Sequence, residues 1–116
     1  MEHHSILIID DEREVCILLE KFLSRKNQNV AFSTSLVEGF EKFKVQKPDL
    51  LILDHNMPDG YGIDNIATFK AMNPMLRVVI ISAMSNLKSE ALLKGADHFM
   101  EKPISFNALT DIISLK

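Results

Sequence analysis

The sequence predicts an α/β domain in which helices cover both faces of a five-stranded parallel sheet. Strand-like and helix-like stretches alternate five times along the chain, and strands joined through helices pair in parallel by right-handed crossovers. Residues 6–9, 50–53 and 78–81 are apolar at every position, which suits central strands buried on both faces. The other two strand-like runs are mixed in polarity and suit the edges.

Ser5–Ile9 is the first strand. Val15, Leu18, Leu19, Phe22 and Leu23 then recur at helical spacing and predict an amphipathic helix. Asp11 is placed to cap it, with Glu14 completing a capping-box-like pair. Residues 30–33 form a second, more polar strand. Ser35 and Glu38 repeat the capping pattern ahead of a helix carrying Leu36, Phe40 and Phe43. That helix stops at Lys47-Pro48, since proline disfavours helix in the residue before it. Residues 49–54 form the third strand, and 56–62 a turn-rich loop. A helix with Ile63, Ile66 and Ala67 on one face runs to Asn73-Pro74. Arg77–Ser82 is the fourth strand. A short helix over 86–94 ends at Gly95, which readily takes the conformation that closes a helix. His98–Glu101 is the fifth strand, and after Pro103 a last helix sets Phe106, Leu109 and Ile113 on one side.

Residues 1–116 are enough for one domain and no more. A net charge of −3 argues against direct nucleic-acid binding, which needs a basic surface. No apolar stretch approaches the ~20 residues of a membrane span, and the polar start Met1-Glu2-His3-His4 is unlike a signal peptide. Cys16 is the only cysteine, so an internal disulfide is impossible and a cytoplasmic location is expected. Its place in a helical pattern predicts a packed, inert thiol. His3 and His4 read as a polar, disordered terminus and His98 as an edge-strand surface residue. His55 borders Asp54 with no chemical role required of it.

Asp10 and Asp11 follow the first strand, Asp54 ends the third, Ser82 ends the fourth and Lys102 follows the fifth. In the flavodoxin-like order 2-1-3-4-5 the first and third strands are neighbours, about 4.8 Å apart. The acids then meet beyond the carboxyl edge of the sheet. Three carboxylates there repel one another unless a cation and the lysine compensate. Mg²⁺ takes a few carboxylate oxygens, keeps several waters and leaves positions for phosphoryl oxygens. Any one of these aspartates alone would more simply cap a helix or shape a turn; topology is what brings them together with Lys102.

Asp10-Asp11, then Leu53-Asp54-His55-Asn56-Met57-Pro58 with Gly62 beyond, then Ser82-Ala83, then Gly95-Ala96-Asp97-His98-Phe99-Met100-Glu101-Lys102-Pro103 give the chain a specific likeness. It resembles, over essentially its whole length, the receiver domain of two-component response regulators, of the single-domain chemotaxis-regulator kind. The resemblance implies that Asp54 is the phosphoacceptor, taking a phosphoryl group from a sensor histidine kinase or histidine phosphotransfer protein. It implies that Asp10, Asp11, Asp54 and the backbone carbonyl of Asn56 hold Mg²⁺. Ser82 and Lys102 would contact the phosphoryl group, Phe99 would be an aromatic switch, and the Lys102–Pro103 peptide would be cis. Such a protein is not an enzyme in its own right, although it takes part in its own phosphorylation and autodephosphorylation. A downstream protein would read the face made by the fourth helix, fifth strand and fifth helix, with the receiver a monomer or a phosphorylation-dependent dimer.

Three departures matter. The stretch from Ser82 to Gly95 is shorter than in typical members, so the fourth helix or the loop before it should be trimmed. Ser82 stands where threonine is commoner, keeping the hydroxyl without the methyl that restricts its rotamers. Asn56 and Met84 occupy two positions that influence acyl-phosphate lifetime in the family. Met84 cannot orient a hydrolytic water by hydrogen bonding, which implies slow to moderate self-dephosphorylation.

No output domain follows Lys116, so the chain is either a single-domain regulator or a piece of a longer one; a DNA-binding helix-turn-helix would need more residues than remain. Two other functional readings compete. A receiver-like interaction module would bind partners without being phosphorylated, but Asp10, Asp11, Asp54, Ser82 and Lys102 are all intact. A phosphohydrolase resembling the haloacid dehalogenase group wants a second acid two residues after its nucleophile, where this chain has Asn56.

Overall fold

A computed structural model of the chain describes residues 5–25 and 29–114; His3 and His4 lie outside the described residues. Strands β1 (Ser5–Ile9), β2 (Asn29–Ser33), β3 (Leu50–Asp54), β4 (Arg77–Ser82) and β5 (His98–Glu101) form one sheet in the order β2-β1-β3-β4-β5. Every neighbouring pair is parallel. The helices are α1 (Arg13–Ser24), α2 (Leu36–Gln46), α3 (Ile66–Met72), α4 (Lys88–Leu93) and α5 (Phe106–Ser114). This is the flavodoxin-like architecture expected from the alternating pattern.

Side chains alternate across each strand, so the sheet divides the interior into two cores. Ile6, Ile8, Leu50, Ile52, Val79 and Ile81 face Cys16, Leu19 and Leu23 of α1 and Leu109 and Ile113 of α5. Leu7, Ile9, Leu51, Leu53, Val78 and Ile80 face the opposite way, onto Leu36 and Phe43 of α2, Ile66 and Phe69 of α3, and Ala91 of α4. Each fully buried Leu or Ile contributes about 1.5–3 kcal/mol relative to exposure, so the three central strands dominate stability. Register then sets the site: Ile9 lies beside Leu53, Asp54 beside Ile81, and Ser82 beside Glu101. The next residues of all these strands emerge at one edge.

Several elements differ in detail from the sequence expectation. Asp11 does not cap α1: Glu12 holds the N-cap position without a side-chain bond, and Asp10 Oδ1 accepts the Glu12 amide at 2.8 Å. The buried carboxylate thus turns back on its own chain in an Asx-type turn, and the helix starts one residue later. Ala67 is exposed because the third helix opens with a 3₁₀ turn, Gly62–Asn65. At about three residues per turn, Ile63, Ile66 and Phe69 become the buried set. The loop over 56–62 contains a small antiparallel hairpin, Asn56–Met57 with Gly60–Tyr61. Phe106 is only partly covered and stacks on Phe22, ring centroids 4.5 Å apart, instead of entering the core.

Leu18, expected on the apolar stripe of α1, is 58% exposed, and Cys16 joins Leu19 and Leu23 as the buried set. The ends of α2 and α4 are as expected. Ser35 accepts the Glu38 amide at 3.2 Å, and α2 ends at Lys47 in the left-handed conformation with φ 53°. The fourth helical segment is short, a 3₁₀ turn at Ser85–Leu87 followed by six residues of α4. Gly95 closes it at φ 109°. No helix among the described residues is long and apolar enough to cross a membrane.

Candidate functional site: a carboxylate cluster around Lys102

Asp10 and Asp54 are both buried, yet both reach the same cation. Lys102 Nζ lies 3.3 Å from Asp10 Oδ2 and 3.1 Å from Asp54 Oδ2. A third carboxylate joins them: Glu12 Oε1 accepts from the same ammonium at 2.8 Å. The sequence expectation did not include Glu12. The only signal was a third consecutive acid after β1, and an exposed glutamate reaching back across the site cannot be read from spacing.

Asp11 is exposed on the rim, and carboxylate oxygens of Asp10, Asp11 and Glu12 all lie within 4.8 Å of one another. Asp54 is outside that group of three and is tied to it through Lys102. The Asn56 amide points to Asp54 Oδ1 at 3.4 Å, so Asp54 is held from its own loop as well as by Lys102, just beyond β5. The Ser82 hydroxyl is buried at the end of β4 and accepts the Met84 amide at 3.0 Å. The Ser82 carbonyl accepts the Lys102 amide at 2.9 Å, which fixes the lysine's backbone to the neighbouring strand. The Lys102–Pro103 peptide is cis. Phe99, on β5 beside Ile80, is half-buried against the core that faces α2, α3 and α4.

Burial makes the charges costly. The Asp54 carboxyl is pushed up to about 6, first by desolvation and then by the negative charge of Asp10, against the pull of Lys102. Asp10 is also raised, chiefly by desolvation. For Lys102 burial works in the opposite sense, but the Glu12 bond and the charges of Asp10 and Asp54 win and hold the ammonium above its ordinary range. Cys16 supports the same loop, its thiol donating to the Asp10 carbonyl at 3.3 Å. Desolvation pushes that thiol up to about 12, leaving it an inert packing group. The His55 ring stacks on Tyr61 at 5.0 Å, with its Nδ1 buried and unpaired.

The donor set fits a hard divalent cation. Although Lys102 is near, Asp10 Oδ2 is buried and accepts no well-formed hydrogen bond. An oxygen in that state, with two further acids alongside, suits Mg²⁺, which prefers carboxylates and water.

Gly62 keeps the end of β3 in place. A Cβ there would stand 2.4 Å from the Asp54 carbonyl oxygen. Gly62→Ala is therefore expected to lower stability by about 1–3 kcal/mol through overpacking, read as a fall in melting temperature. An unchanged melting temperature would show that the strand end yields freely.

A family model described as the response regulator receiver domain matches residues 6–114. The chain belongs to this family. The receiver is 30% identical over 112 residues to the chemotaxis protein CheY of Thermotoga maritima, covering 94% of this chain and 93% of that one. It is 34% identical over 106 residues to the transcriptional regulatory protein ZraR of Escherichia coli, covering 90% of this chain but 24% of the relative. The receiver thus spans about a quarter of the length of the larger regulators it matches. Among solved structures, a two-component response regulator from Clostridium difficile superimposes with a TM-score of 0.89 at 24% identity, over 95% of this chain and 92% of that one. The beryllofluoride-activated NtrC4 receiver domain dimer gives 0.86 at 29% identity, over 94% and 92%. Sheet order and helix placement agree with this family, whose members serve two-component systems.

Proposed function

We propose that Asp54 accepts a phosphoryl group from a phosphohistidine of a sensor kinase or phosphotransfer protein, and that the modified receiver switches its binding to a downstream protein. The observation that carries this reading is the convergence of two buried carboxylates, Asp10 and Asp54, on the single ammonium of Lys102. Asp10, Asp11, Asp54 and the Asn56 backbone carbonyl would hold Mg²⁺, whose bound charge would offset that of the carboxylates and of the phosphoryl oxygens.

In the transfer, an ionised Asp54 oxygen forms a bond to phosphorus as the bond from phosphorus to the donor imidazole nitrogen breaks. The electron pair of that bond stays on the nitrogen, which takes a proton from water. Lys102 orients the nucleophile and offers charge to the phosphoryl oxygens. An apolar groove lined by Val15, Leu18, Ile104 and Phe106 opens beside Glu12 and Lys102, and a protein donor approaching Asp54 would meet it. Phosphorylation replaces one negative charge by about two and adds acceptor oxygens. The Ser82 hydroxyl can then donate to the phosphoryl group, drawing in the loop after β4. Phe99 would turn into the space vacated, reshaping the face made by α4, β5 and α5. On this reading the receiver is a cytoplasmic phosphoacceptor that takes part in its own phosphorylation and dephosphorylation, not a turnover enzyme. That one structural relative is described as an activated receiver dimer supports pairing on phosphorylation as one form of output.

The test is intact mass after incubation with Mg²⁺ and acetyl phosphate. One added phosphoryl group is expected, lost in Asp54→Asn and with a chelator. A folded protein that takes no phosphate would favour a phosphorylation-independent interaction module. Many turnovers of a phosphate ester per chain would favour a hydrolase.

A further inference from the structure

We infer that Asp59 is a positioning residue for the Mg²⁺ site, fixing the loop that carries the Asn56 carbonyl by gripping the first turn of α2. This deepens the proposed function and rests on its assignment of Asn56 as a ligand. Asp59 sits at the tip of the hairpin that pairs Asn56 with Tyr61 and Met57 with Gly60. Its two oxygens accept two different backbone amides, Oδ1 from Leu36 at 2.8 Å and Oδ2 from Val37 at 2.9 Å. Those amides belong to the first turn of α2, where backbone N–H groups have no partner within the helix and the dipole favours an anion. The same two bonds hold the Asp59 carboxyl below its ordinary range.

The helix already has its own cap, Ser35, which accepts the Glu38 amide. Asp59 instead joins α2 to a segment more than twenty residues away along the chain. Contact at the tip is close: a Cβ on Gly60 would stand 2.9 Å from Leu36 Cδ1. Met57 enters the core, and the base of the hairpin is pinned where the His55 amide donates to the Ile81 carbonyl at 3.0 Å and the Gly62 amide to the His55 carbonyl at 2.7 Å. Beyond that pivot the Asn56 amide makes only a long 3.4 Å bond to Asp54. The grip at the tip therefore sets the tilt of the hairpin, and with it the position of the Asn56 backbone.

Isothermal titration with MgCl₂, alongside thermal denaturation, separates this role from helix stability. Asp59→Ala is expected to weaken Mg²⁺ binding about tenfold, the scale of losing a group that orients a ligand. Asp59→Asn keeps one acceptor oxygen and should fall between Asp59→Ala and wild type. Ser35→Ala removes the helix's own cap, so it should lower the melting temperature and leave Mg²⁺ affinity unchanged. Wild-type affinity in Asp59→Ala would overturn the inference. So would equal losses in both Asp59 variants, the signature of lost charge alone, or an equal loss in Ser35→Ala. Failure of the wild-type protein to bind Mg²⁺ would instead overturn the metal reading on which the inference rests.

Discussion

Lys102→Ala is expected to lower stability at pH 7 by about 3–5 kcal/mol, the usual loss when one partner is removed from a buried ion pair. The Lys102 ammonium, 2.8–3.3 Å from carboxylates of Glu12, Asp54 and Asp10, is the one cation among these close ion pairs. Its side chain is 19% exposed, so solvent screens it only partly. Without it, Asp10 and Asp54 face each other buried and uncompensated, and both carboxyls rise further. The deficit should then shrink in two ways: on acidification, which neutralises the acids, and on adding Mg²⁺, which replaces the lost positive charge. Urea denaturation at pH 7.5 and 5.5, with Mg²⁺ or a chelator, reads both effects. Wild-type stability in the chelator at pH 7.5 would show that the ammonium does not hold this cluster together.

Asp54→Asn is expected to do the opposite and stabilise the fold. Desolvation and the negative charge of Asp10 push the Asp54 carboxyl up to about 6 in the folded state, from an ordinary 3.8. Between those values the folded state binds more protons than the unfolded one, so stability falls as pH rises through that window and stays reduced above it. At about 1.4 kcal/mol per unit, the ionised carboxylate costs the apo fold on the order of 2–3 kcal/mol at pH 7. Asparagine keeps the shape and drops the charge, although it also weakens the tie to Lys102. A net gain of about 1–2 kcal/mol is expected, or roughly 5 °C or more in melting temperature. The variant should also lack the component of wild-type stability that declines between about pH 4 and 6. Coupling follows as well: Lys102→Ala should be milder in the Asp54→Asn background. A variant less stable than wild type at pH 7, in the absence of Mg²⁺, would contradict this electrostatic picture.

Both effects come from residues that the sequence already placed together. The unbroken apolar runs 50–53 and 78–81 mark central strands, and once strand order is known, Asp10, Asp54 and Lys102 must share one edge. What escaped was geometry that leaves no periodic trace. A 3₁₀ turn at the head of the third helix moved Ala67 to the surface, because a change of helical pitch is invisible to a search for 3.6-residue spacing. Paired segments of two residues within 56–62 are too short to alternate. Asp10, not Asp11, organises the start of α1, a choice that depends on which carboxylate is buried. Glu12 and Asp59 act through contacts distant in the chain, and neither has a local signature. The shortness of the fourth helical segment, a 3₁₀ turn at Ser85–Leu87 and six residues of α4, was legible because few residues separate Ser82 from Gly95.

Site mapping of the phosphoryl group tests the central assignment most directly. After reaction with acetyl phosphate, borohydride reduces an aspartyl phosphate to homoserine, which peptide mass analysis places in the sequence. Conversion at position 54, present with Mg²⁺ and absent with a chelator, is the result expected from two buried acids sharing Lys102. Conversion at Asp10, Asp11 or Glu12 instead, or equal conversion at Asp54 without any divalent metal, would contradict it.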